Sequence, residues 1–246
     1  MNTLEKMTST EVKKIAKDNL IIIPEKLRKD IKNLHANCID GRLRSADDYT
    51  DAEIAIPGGK LGIVIAVLSA LNQFGVSEKK KQKSIIIMQE LLGFSYHTDE
   101  HQHDLVCGGC GHFKNAITHP AEYGLQETDL GLLHGYIHAG LSQDIQPDVL
   151  TGNHEERAVV LINGFSGTVR PTGEVFICNI DYYRWAIDLT LRKILDSLGI
   201  EYHPEDIERG MLCADGALQT TVNALAAHLP LYVFDVYPSG EIIIQD

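Results

Sequence analysis

Positive charge is scarce in this chain: 22 Lys and Arg face 34 Asp and Glu, for a formal net charge of −12. An acidic surface repels phosphate backbones and anionic lipid, which sets nucleic acid and membrane surfaces aside as partners. The one basic run, Lys79-Lys80-Lys81-Gln82-Lys83, is short and reads as the solvated end of a helix. Long apolar runs are missing as well. The longest, Leu61 to Leu71, falls well short of the roughly 20 residues that a spanning helix needs. The opening residues, Met1 to Lys14, alternate charged and polar side chains and lack the apolar stretch of a secretory signal, so the expectation is a cytoplasmic protein. Cysteines number five, an odd count that suits metal or catalytic chemistry better than a disulfide frame. With 44% hydrophobic residues the chain has ample material for a core without disulfides. Two catalytic signatures are also lacking. Gly164-Phe165-Ser166-Gly167 fails the spacing of a nucleophile elbow, and no Gly-x-Gly-x-x-Gly follows an expected strand. Serine hydrolase and dinucleotide-binding readings therefore drop out.

No internal repeat, low-complexity tract or linker interrupts the 246 residues, and the expectation is one domain over 1–246 with a helical arm over 1–32. Thr8 to Lys32 reads as two helices split at Pro24, the first capped by Thr10. Such an arm packs either on a partner subunit or across its own domain. Leu34 to Asp40 reads as a buried strand and Ala52 to Ile56 as a second, broken by Pro57-Gly58-Gly59 ahead of a helix from Leu61 to Phe74. Strand, glycine turn and helix in that order are the grammar of a parallel sheet. Ser84 to Leu92 is helix-length, Phe94 to His97 reads as a short strand, and Cys107 to Thr118 as a helix opening on a glycine-rich turn. Helices are expected over Asp129–Leu141, Tyr182–Leu198 and Pro204–His228, strands over Ala158–Asn163 and Glu174–Ile180, and a hairpin over 231–244. The fold class is α/β, with a mostly parallel central sheet flanked by helices and carrying antiparallel additions.

Chemistry in open α/β sheets gathers at the carboxyl ends of strands. Expected strand ends here carry Cys38 with Asp40 and Arg42, then Pro57-Gly58-Gly59, then His97, with Cys107-Gly108-Gly109-Cys110-Gly111-His112 just beyond. Thiolate and neutral imidazole are the donors a zinc-like ion prefers, and Cys38, His97 and Cys107 would supply three of four tetrahedral positions. An open fourth position marks a catalytic site. On an extended chain Cys38, Asp40 and Arg42 share one side. Asp40 can accept a hydrogen bond from metal-bound water, and Arg42 can keep it ionised and oriented.

The order Cys-x-Asp-x-Arg, then a histidine, then Cys-Gly-Gly resembles β-class carbonic anhydrases. The gap of ten residues from His97 to Cys107 and the Pro-Gly-Gly after the second strand look more like the ζ class, which uses cadmium as well as zinc. The resemblance covers roughly Leu34 to Thr118. It implies a β-carbonic-anhydrase-like fold and the reversible hydration of CO2 to bicarbonate by a metal-bound hydroxide. It also implies Cys38, His97 and Cys107 as ligands of Zn2+, with Cd2+ as a substitute, and Asp40 and Arg42 as the orienting pair. The helical arm suggests a homodimer by the same analogy. Alternatives stay open at several positions. His101 or His103 could replace His97, and Cys110 could replace Cys107. Cys110 could also close a Cys₃His site without chemistry, and the same scaffold could act on COS or CS2. His112 reads as a helix-face histidine bonded to a backbone carbonyl, with a reach toward the site as the alternative. His134 and His138 read as surface or interface residues, and Cys178 and Cys213 as buried and inert.

Overall fold

The computed structural model describes residues 7–22, 34–39, 52–93, 97–99, 111–142, 148–150, 157–164, 167–169 and 175–245. The chain falls into two compact units, one made of Met1–Pro57, Thr151–Tyr183 and Val222–Asp246, the other of Gly58–Leu150 and Arg184–Thr221.

The first unit is built on a sheet. Helix α1 (Ser9–Asn19) opens it, followed by strands β1 (Leu20–Ile22), β2 (Leu34–Cys38) and β3 (Ala52–Ile56). The cap of α1 is Thr8, not Thr10. Glu11 sits three residues on and returns a bond to the Thr8 amide at 2.8 Å, closing a reciprocal capping box. The helix does not run on to Pro24. It ends at Asn19, and Leu20 to Ile22 pair antiparallel with β7 (Gly167–Val169). β-branched Ile21 and Ile22 suit that pleated pairing better than another helical turn. The second helix expected before Lys32 lies outside the described residues.

Strands β2 and β3 pair in parallel, Leu34 opposite Ala52 and Cys38 opposite Ile56, and β3 runs beside β7 and β8. Strand β6 (Ala158–Asn163) pairs in parallel with both β8 (Val175–Asn179) and β9 (Leu231–Val236), and β10 (Ile242–Gln245) adds antiparallel to β9. All five residues of β8 and the first five of β6 are buried, the pattern of central parallel strands covered on both faces. Val160, Ile162, Val175, Ile177, Phe234 and Ile242 form the core, and α1 closes it with Val12 and Ala16 one turn apart. Each such aliphatic side chain contributes roughly 1.5–3 kcal/mol on burial. The Tyr232 hydroxyl donates to the Met7 carbonyl at 2.7 Å, so the residues preceding α1 are tied to the same sheet. The described part of the arm, Met7 to Ile22, therefore packs across its own unit.

The second unit is mostly helical. Its centre is α2 (Gly59–Gln73), buried at every position from Leu61 to Leu71. A helix apolar all round belongs inside a core, which accounts for the longest hydrophobic run of the sequence. Helices α3 (Glu78–Leu92), α4 (Gly111–Thr118) and α5 (Glu127–Ser142) pack around it, with a 3₁₀ turn at Pro120–Tyr123. Helix α6 (Ile180–Ser197) contributes its residues from Arg184 onward, and α7 (Pro204–Ala226) those up to Thr221. Gly210 lets α7 approach closely: a Cβ there would meet Ala70 Cβ at 3.2 Å. Strands β4 (His97–Asp99) and β5 (Asp148–Leu150) pair in parallel. One expected boundary moves: helix α3 starts at Glu78, not Ser84. Of the strand expected over Phe94 to His97 and the helix expected over Cys107 to Thr118, residues 94–96 and 107–110 lie outside the described residues. Among the described residues no helix is long and apolar enough to cross a membrane.

Candidate functional site

Cys38 is the last residue of β2. Along that strand Ala36 and Cys38 are buried while Asn37 between them is half-buried, the period of two that a pleated chain imposes. The backbone continues in register one residue further, Ile39 donating to the Ile56 carbonyl at 3.0 Å. Cys38 thus stands at the carboxyl end of a parallel pair, buried and outside any disulfide. His97 opens β4 in the second unit. Asp40, Arg42 and Cys107, with the alternatives His101, His103 and Cys110, lie outside the described residues. Among the described residues no three His, Cys, Asp or Glu side chains form a group that could hold a metal ion.

The chemistry of the expected donors nevertheless fits a zinc-like ion. Two thiolates and an imidazole are soft and borderline ligands of the kind zinc and cadmium accept. Cys178 is a different case. It is buried within β8 among apolar neighbours, and burial pushes its thiol up to about 12, which leaves it protonated and inert. Cys213, expected to be buried, is half-exposed on α7, and partial burial still raises its thiol above the usual range.

His112 differs most from its sequence reading. It sits at the start of α4 and is buried, and its bond is not to a backbone carbonyl. Nδ1 lies 2.5 Å from the hydroxyl of Thr221, which lies 3.1 Å from the Tyr123 hydroxyl. The imidazole also meets the Tyr123 ring edge-on at 5.3 Å. Thr221 is 109 residues away along the chain, so no local pattern could announce the contact. Burial lowers the His112 pKa to about 4 from 6.5 and keeps the ring neutral. A consequence for stability follows. Between pH 6.5 and about 4 the unfolded chain binds a proton that the folded chain refuses. Stability is therefore fully present above 6.5 and falls by about 1.4 kcal/mol per pH unit through that window. Thermal melts across pH 4–7 should show this slope, and His112→Gln should flatten it; an unchanged slope in the variant would assign it to other groups. His134 and His138 behave as expected: His134 is half-buried with its ring edge against Phe113, and His138 is exposed.

One polar cluster of the second unit escaped the sequence reading. Lys81, within the run read as a solvated helix end, is 1% exposed. Its ammonium donates to Asp129 Oδ1 at 2.7 Å, Asn72 Oδ1 at 2.8 Å and Gln126 Oε1 at 3.1 Å. Asp129 Oδ2 accepts from Asn72 at 2.7 Å and from the Gln126 amide at 2.8 Å. Every ammonium proton is used and both carboxylate oxygens are occupied, so the cluster joins α2, α3 and α5 and leaves no valence for a ligand.

The described residues thus define a mixed α/β protein whose motif cysteine ends a parallel strand. No family model matches the chain, and no curated protein does. Among solved structures it is similar to the cadmium-bound domain 2 of a carbonic anhydrase from the marine diatom Thalassiosira weissflogii, crystallised with acetate. The two are 20% identical over 89% of this chain and 87% of that one, with a TM-score of 0.46.

Proposed function

We propose that this protein is a metal-dependent carbonic anhydrase that interconverts CO2 and water with bicarbonate and a proton. The observation that carries the reading is the position of Cys38, buried at the carboxyl end of β2, with Asp40 and Arg42 close behind in sequence. That is the edge where α/β proteins place their chemistry. Cys38, His97 and Cys107 would hold the ion, Zn2+ or Cd2+. When bound, the ion supplies Lewis acidity that makes water nucleophilic near neutral pH. Asp40 accepts a hydrogen bond from the attacking oxygen and directs its lone pair at the CO2 carbon. Arg42 pairs with Asp40, keeping it ionised and unable to take a second role as a proton donor. The attack forms one C–O bond, opens one C=O double bond to an oxyanion, and releases one proton to solvent.

Stopped-flow CO2 hydration, on protein reconstituted separately with zinc and with cadmium, tests this directly. Turnover well above buffer is expected with at least one metal, together with a loss of about 10²–10⁴-fold in Asp40→Asn, the size expected for a positioned proton-handling group. No turnover with one equivalent of metal bound would overturn the proposal. Cys110→Ser identifies what replaces it. A catalytic site keeps its metal in that variant, whereas a closed Cys₃His site loses affinity sharply.

A further inference from the structure

Three of the five residues from Cys107 to Gly111 are glycine, the residue that gives up most conformational freedom when a chain is fixed. A donor on so permissive a backbone is held in place from its ends. The downstream end is α4, whose first residue, Gly111, follows Cys107 by no more than about 14 Å of extended chain. Helix α4 is eight residues long, too short to persist without tertiary contacts, and its buried side chains are His112, Phe113 and Ala116.

His112 gives the first turn of α4 its fixed place. Its Nδ1 lies 2.5 Å from the Thr221 hydroxyl on α7, and its ring meets that of Tyr123 edge-on. The ring also packs against the turn at Gly58, where a Cβ would lie 2.8 Å from His112 Cδ2 and glycine makes the room. For stability alone a phenylalanine would serve. It would fill the same space and strand no polar atom, whereas Nε2 of His112 is buried without a hydrogen-bond partner. A polar group kept at a cost in stability brings orientation in return, and such exceptions gather at functional sites. Here the bond to Thr221 sets which way the imidazole is turned, and with it the start of α4.

We propose that His112, locked by Thr221, is a positioning residue for the Cys107 metal ligand. It fixes the end of the glycine-rich segment and so reduces the ordering that ion binding requires. The inference rests on the metal reading above, and its residues all belong to the second unit. Cadmium binding to the full-length protein tests it, read as affinity by chelator competition and as the thiolate-to-cadmium charge-transfer band. Urea unfolding of the metal-free protein runs alongside. His112→Phe combined with Thr221→Val removes both partners of the bond, so metal-free stability should stay close to that of the unaltered protein. Cadmium affinity should nevertheless fall about 10–100-fold, the range for groups that orient a ligand. Thr221→Val alone should show a similar loss, and Thr221→Ser, which keeps the hydroxyl, should bind normally. Affinity unchanged in Thr221→Val or in the double variant would overturn the proposal. So would an equal loss in Thr221→Ser, or a stability loss large enough to account for the weaker binding. Cys107→Ser separates this inference from the reading beneath it. If that variant weakens binding and diminishes the band while Thr221→Val does neither, the positioning role fails and the ligand stands. If it changes neither, the ligand assignment fails and the inference with it.

Discussion

Lys81→Met is expected to cost the protein about 3–5 kcal/mol of stability, because it leaves the Asp129 carboxylate buried without its counter-charge. Lys81 and Asp129 are 2% and 0% exposed at their side chains and 2.7 Å apart. In that setting water cannot replace the lost ammonium, and Asn72 and the Gln126 amide compensate only part of the charge. The pair itself adds less than its rupture removes, since desolvating both ions offsets most of their attraction. Lys81→Met combined with Asp129→Leu should therefore recover much of the loss, a non-additivity readable as a double-mutant cycle. Urea titrations of the four proteins measure it. A single-variant loss below about 1 kcal/mol would mean that solvent reaches the pair, since that is the scale of exposed ion pairs. Arg184 and Asp215 supply the internal comparison: their bidentate bonds of 2.9 and 2.7 Å lie at the surface, where such pairs contribute about 0–1 kcal/mol.

Gly164→Ala should be almost as damaging to the first unit. Gly164 follows β6 with φ +126, a backbone conformation that L side chains rarely adopt. A Cβ there would overlap the carbonyl oxygen of Val236 and lie 3.1 Å from its carbonyl carbon, both backbone atoms of β9. The residue cannot turn away, because its amide donates to Asp181 and its carbonyl accepts from Asn179, each at 2.9 Å. Dihedral strain and steric overlap together should remove about 3 kcal/mol or more. Gly75 isolates the first term. Its φ is +60, and a Cβ there would meet nothing within 4 Å, so Gly75→Ala should cost only about 1 kcal/mol. Equal losses in the two variants, measured by thermal or urea unfolding, would show that the contact with Val236 relaxes freely.

Much of this architecture could be read from periodicity. Ala52 to Ile56 and Ala158 to Asn163 are strands at the expected boundaries, and the terminal hairpin forms around Pro238-Ser239-Gly240. The misses have physical causes that were partly visible. Thr8 with Glu11 is a capping-box spacing, whereas Thr10 has Lys13 at the equivalent place. Ser84, Ile85 and Met88 form a buried stripe on α3, and stepping back three or four residues along it reaches Lys81. The charge alone hid that position, because its partner Asp129 lies 48 residues further on. Thr221 and His112 were unreadable as a pair for the same reason. Of the candidate site, Cys38 stands at a strand end as expected, and His97 lies in a short strand that continues to Asp99. The order of the motif residues is visible because it is a pattern along the chain itself. Hydrogen bonds that close between distant segments leave no such trace.

The sheet of the first unit also has an order of assembly written into its connectivity. Its central strand β6 needs β9 on one side, β9 needs β10, and α1 covers the face that β10 completes. The bond from Tyr232 to Met7 spans 225 residues of sequence. On a ribosome α1 therefore waits for β9 and β10 before it can bury Val12 and Ala16. Closing loops of that length before they are rewarded makes folding slow. During synthesis the sticky face of α1 is held in reserve, while the second unit, complete by Thr221, has the chance to fold first.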